Sequence, residues 1–123
     1  MEIKGLSELN AKLSELSKIA PDTAKKELTD IALDLAGKCS EAAPIEFGDL
    51  RGDLANPRKE GDMDWKVGSD LVYCAVQHEH TEFHHPRGGG AKFLEKPFNA
   101  NVNEYINAIG EAIMKELKWY ERN

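Results

Sequence analysis

The chain has 123 residues, 41% of them hydrophobic and 31% charged, with a formal net charge of −6. That composition fits one globular domain able to bury a core without disulfide or metal staples. It argues against a dedicated nucleic-acid binder, which needs a basic stripe, and against a membrane span, which needs roughly 18 consecutive apolar residues.

The opening Met1-Glu2-Ile3-Lys4 lacks the basic-then-apolar pattern of a secretory signal, so the expectation is a cytosolic protein. Gly5 to Ile19 carries Leu6, Leu9, Leu13 and Leu16 at helical spacing with Lys and Glu between them. This amphipathic stripe serves either the core or a partner interface. Pro21 and Asp22 suit a first helical turn, and a second helix is predicted from Asp22 to Ala43, stopped by Pro44. Its apolar face is Leu28, Ile31, Ala32, Leu35, Ala36 and Cys39.

Pro44 to Leu54, with Gly48 and Gly52, reads as an ordered turn. Leu54 to Arg58 contains Pro57 and is at best an edge strand. Lys59 to Asp62 reads as a hairpin turn, Asp64 to Gly68 as a strand, and Leu71 to His78 as the best strand of the chain. Glu79 to Lys92, with Gly88-Gly89-Gly90, reads as a flexible loop. Ala91 to Phe98 resumes an extended apolar path. A last helix is predicted from Asn101 to Trp119, with Val102, Tyr105, Ile106, Ile109, Ile113 and Leu117 on its buried face. The order predicts an α+β fold: two N-terminal helices, a small antiparallel sheet of three to four short strands, and one C-terminal helix packed on it.

All four histidines, His78, His80, His84 and His85, lie within eight residues, beside Glu79 and Glu82. A metal site is the sharp hypothesis, with His78 and His80 facing the same side of a strand. The spacing fails the helical zinc motif, because Glu82 stands where His-Glu-x-x-His needs its second histidine. Adventitious metal affinity is the favoured account of the cluster. Gly88-Gly89-Gly90-Ala91-Lys92 lacks the spacing and the Ser/Thr of a phosphate loop. No serine or cysteine has a recognisable activating context. Cys39 and Cys74 read as buried free thiols, with a pairing between them as the alternative. Neither a catalytic residue nor a cofactor site is therefore assigned. In a subunit of an assembly, Phe93, Leu94 and Phe98 would anchor a loop that orders on a neighbour, or would pack on the chain's own helices.

Three stretches carry a resemblance to a family. Lys4-Gly5-Leu6-Ser7-Glu8-Leu9 is similar to an opening x-G-L-x-E-L helix. Ala43 to Leu54 is similar to A-P-x-x-T-G-x-L-R-x-S-I, with Phe47 in place of the threonine. Val67-Gly68, Tyr73 to Glu79 and Ala91 to Phe98 resemble a Y-A-x-x-x-E-x-G-T strand and a P-F-L-x-P-A approach to a last helix, with His80-Thr81 in place of Gly-Thr. Together they resemble the small tail-component or tail-completion proteins of long-tailed bacteriophages and prophages, a group that includes minor capsid proteins.

The resemblance covers nearly the whole chain. It implies a structural virion protein made in the bacterial cytoplasm, with no enzymatic activity and no cofactor. Such subunits form rings, commonly hexameric, at the head–tail junction, where they contact connector and tail proteins while DNA passes through. The acidic balance suits a ring that does not hold DNA by its phosphates. Candidate assembly contacts are Leu6, Leu9, Leu13, Phe83, Arg87, Phe93, Leu94 and Phe98. The rivals are a minor capsid protein elsewhere in the virion, a small metal-dependent hydrolase using His78 to His85, and a cytosolic adaptor binding a partner helix on the Leu6–Leu16 stripe.

Overall fold

The structure, a computed structural model, describes residues 5–45, 48–71, 74–83, 85 and 88–122. In chain order its elements are α1 (Leu6–Ile19), α2 (Pro21–Ala42), α3 (Gly48–Ala55), β1 (Arg58–Gly61), β2 (Asp64–Lys66), α4 (Cys74–Glu79) and α5 (Glu95–Arg122).

The leucine stripe of α1 turns inward, with Leu9, Leu13 and Leu16 buried. Ala20 links α1 to α2, and Pro21 opens α2 where a missing N–H costs nothing. Helix α5 lies on both, parallel to α1 and antiparallel to α2. Gly5 abuts Val102 and Ile106, while Thr23 Oγ1 donates to Glu116 Oε1 at 3.1 Å. Between them sits the larger core cluster, which includes Leu16, Ile31, Phe98, Val102, Ile106 and Ile109. At the edge of this core, Tyr105 Oη donates to Asp34 Oδ2 at 2.6 Å, and Lys38 Nζ lies 2.8 Å from the same oxygen.

A second, smaller cluster gathers Cys39, Ala43, Leu50, Leu54, Cys74 and Phe93 at the other end of α2. Helix α3 closes it because Leu50 and Leu54 are four residues apart and both fully buried. Arg51 ties α3 back to α2. Its Nε donates to Ala43 O at 3.1 Å and its Nη2 to Glu41 O at 2.7 Å, so a cation meets the orphan carbonyls at the helix end. Beyond α3, β1 and β2 form a two-stranded antiparallel hairpin, with a bulge between Lys59 and Gly61.

The α+β reading holds in a mostly helical form, and several expected elements are corrected. Among the described residues the sheet has two strands rather than three to four. The expected strand from Leu71 to His78 is instead α4 over Cys74–Glu79, with Val72 and Tyr73 outside the described residues. The expected turn at Pro44 to Leu54 contains α3, with Glu46 and Phe47 outside the described residues. Lys59 to Gly61 belongs to β1, and the hairpin turns at Asp62-Met63.

Ala91 to Phe98 is not extended. It turns at Phe93-Leu94 and starts α5 at Glu95 rather than Asn101. Pro97 is tolerated there because first-turn N–H groups have no helical acceptor. The glycine run also does more than link. Gly90 N donates to Ala42 O at 3.0 Å and Ile45 N to Gly88 O at 3.1 Å. Gly89 has φ 78, and a Cβ there would lie 2.1 Å from Ala43 O. Only glycine permits so close an approach of two backbones.

Candidate functional site

The histidine segment is built from α4 upward. Cys74 and His78 are one turn apart on α4, and both are buried against the smaller cluster. The His78 ring meets Phe93 edge-on at 5.0 Å. Its Nε2 accepts the backbone N–H of Glu95 at 3.3 Å, and its Nδ1 lies 2.8 Å from Glu79 Oε1. An amide N–H can only donate, so Nε2 is the unprotonated nitrogen and Nδ1–H donates to the carboxylate. The imidazole thus caps the first turn of α5.

The other carboxylate oxygen of Glu79 accepts from Lys92 Nζ. That contact first, and His78 second, hold the Glu79 carboxyl down from 4.5 to about 2. Lys92 N also donates to His78 O at 2.7 Å. Helix α4, the strap at residues 88–92 and the start of α5 are therefore tied together through His78, Glu79 and Lys92.

His80 is elsewhere. It stacks on Phe83 at 4.8 Å with its Nδ1 2.6 Å from Glu82 Oε1, on an exposed turn. The expectation that His78 and His80 face one side of a strand fails, because His78 ends a helix and is buried while His80 follows it in solvent. His85 is half-buried, and His84 lies outside the described residues. Among the described residues no group of three His, Cys, Asp or Glu side chains is arranged to hold a metal ion. Cys39 and Cys74 are free and buried, and burial pushes the Cys39 thiol up to about 12.

The candidate assembly residues divide. Leu9, Leu13, Phe93 and Phe98 are buried in their own chain's core, so core packing accounts for them. Leu94 is half-buried against the smaller cluster. Leu6 and Phe83 are exposed, and Arg87 lies outside the described residues.

Two surfaces stand out instead. The first is an apolar groove of about 680 Å³ between α1 and α2, walled by the hairpin, with Leu6, Leu13, Leu28, Ile31, Met63 and Trp65 among its lining. The second is the end of α5. Among the described residues none after Ile113 is buried, and Met114, Leu117, Trp119 and Tyr120 are 54%, 41%, 58% and 56% exposed. Leu117, expected on the buried face, is thus corrected to the surface: α1 and α2 meet at Ala20-Pro21, and α5 outruns them. Met114 and Trp119 fall off the stripe that predicts the buried face of α5, whereas Tyr120, seven residues after Ile113, continues it and is exposed all the same.

No protein-family model matches the chain, and neither a curated protein nor a solved structure does.

Proposed function

We propose that the chain is a structural subunit of a tailed phage or prophage particle, assembling as a ring at the head–tail junction and linking connector to tail. The reading rests on the motif stretches described above. The observation that supports it is that the later stretches meet in space. Ala43 to Leu54, Cys74 to Glu79 and Ala91 to Phe98 lie far apart in the chain, yet they meet around Leu50, Leu54, Cys74 and Phe93. Arg51 of the Gly-x-Leu-Arg stretch binds the carbonyls that precede Pro44, and His78 binds the start of the Phe-Leu-Glu-Lys-Pro stretch.

The experiment is to fractionate assembled particles and to delete the gene. The subunit is expected at the neck, and particles without it are expected to lack attached tails. Intact infectious particles in its absence would overturn the reading.

The apolar groove favours a second reading, an adaptor that takes a partner helix between α1 and α2. It predicts a stable one-to-one complex with a host protein and no ring.

A further inference from the structure

We infer that His78 is a proton-operated latch: the neutral imidazole holds the start of α5 against α4, and a further proton releases it. The hydrogen bonds of the ring carry the inference. Nδ1–H already donates to Glu79 Oε1 at 2.8 Å, so an added proton goes to Nε2. Nε2 is the atom that accepts the Glu95 N–H at 3.3 Å. Protonation there sets two donors face to face with no acceptor between them, and the cap of α5 is lost.

Two features keep the fold from absorbing that proton in place. The ring is 3% exposed and edge-on to Phe93, so water replaces the lost partner only if the first turn of α5 moves. The new charge also sits at the positive end of the α5 dipole.

Charged groups reach this junction from several elements, and they oppose one another. On α4, Glu79 favours the imidazolium. On the strap, Lys92 disfavours it and draws on the same Glu79 carboxylate. On α5, Glu95 favours it, with its carboxylate 3.8 Å from Lys92 Nζ. Cys39 on α2 and Cys74, one turn back on α4, have thiols pushed up by burial, so they stay neutral. Asp53 of α3 and Asp70 act on Cys74 rather than on the ring. Glu79 is held down to about 2 and stays ionised. The charge change at this junction between pH ~5 and ~8 therefore belongs to the imidazole.

The release is local. Lys92 N donates to the backbone O of His78 at 2.7 Å, and Lys96 N to Lys92 O at 2.9 Å, and neither bond uses the ring. The strap stays on α4 while the Glu95 amide opens. The cap is present above the titration of the ring and is lost as pH falls through it. This latch does not depend on the proposed place in a particle.

Nuclear magnetic resonance of the full chain tests it. Exchange of the Glu95 amide with solvent, corrected for its intrinsic pH dependence, reports the cap. Its protection should fall about tenfold from pH ~8 to pH ~5, in step with the His78 ring signals. The Lys92 amide should keep its protection over the same range. His78→Gln offers a neutral acceptor and leaves His80, His84 and His85 in place. Protection at Glu95 should then be flat with pH.

The ring nitrogen signals of wild type need no variant. At pH ~8 they should show Nδ1 protonated and Nε2 bare. A protonated Nε2 at that pH, a Glu95 amide that ignores the titration of His78, or a ring that gains no proton before the chain unfolds would each overturn the inference. So would an equal loss of protection at Glu95 in a folded His78→Gln, which would assign the response to another histidine.

Discussion

His78 accepts the backbone N–H of Glu95 through Nε2 at 3.3 Å, across 17 residues of chain. The ring that most invites a metal is thereby committed to folding. Its second nitrogen faces Glu79, and its plane meets Phe93 edge-on. A divalent ion at Nε2 would have to displace the cap of α5, leaving the half-buried Glu95 amide without this acceptor.

His78→Ala should therefore act on stability. It removes a cap, worth about 1 kcal/mol, and leaves a cavity beside Phe93. Together these should cost about 2–4 kcal/mol in urea unfolding. Zinc added to wild type should leave its melting temperature unchanged. A zinc-induced rise that vanishes in His78→Ala would show that the imidazole serves a metal instead.

The Glu79 carboxyl should make stability depend on acid pH. Lys92 first and His78 second lower it to about 2 in the folded chain. A depressed carboxyl stabilises the fold above the ordinary carboxylate range, and that contribution is lost as pH falls through the folded value. Wild type should thus exceed Glu79→Gln most clearly above pH ~5 and converge with it towards pH 2. Because Glu79 is about half exposed, added salt should narrow the gap at any pH. A gap that widens on acidification would contradict the assignment.

The long helices were legible because 3.6-residue periodicity persists over many turns in α1, α2 and α5. The small end was not, because tertiary contacts decide it. Cys74-Ala75-Val76 favours a strand by propensity, yet Cys74 and His78 need helical spacing to reach the same cluster. Gly48 and Gly52 suggested a turn, but neither position has an atom within 4 Å of where a Cβ would sit. They lie on the open side of α3, while Leu50 and Leu54 hold its other face. The α5 cap was invisible because its acceptor lies on another element. Of the candidate contacts, Phe93 and Phe98 are buried, which fits the alternative that they pack on the chain's own helices.

Lys92 gives a test of backbone strain. Its φ is 58, a region that costs a side-chain-bearing residue about 1–2 kcal/mol. Lys92→Ala and Lys92→Gly both lose the contact with Glu79, so their difference isolates the backbone. The glycine variant should be the more stable by about 1 kcal/mol, the reverse of the usual order for the two residues in helices. Equal stabilities would mean that the strap relaxes without Lys92.

The glycines should respond to alanine with opposite signs. Gly89 combines φ 78 with a Cβ position 2.1 Å from Ala43 O. Backbone atoms cannot step aside as a side-chain end can, so Gly89→Ala must lift the strap and break the Gly90–Ala42 hydrogen bond. Strain and lost contacts together should exceed about 3 kcal/mol. Gly37 is the control. It lies inside α2 with nothing within 4 Å of its Cβ position, so Gly37→Ala should stabilise by about 0.5–1 kcal/mol through the unfolded chain. Thermal unfolding of the two variants reads both signs at once. If Gly89→Ala is as mild as Gly37→Ala, the strap does not pack on Ala43 in solution, and the smaller core cluster loses one of its ties.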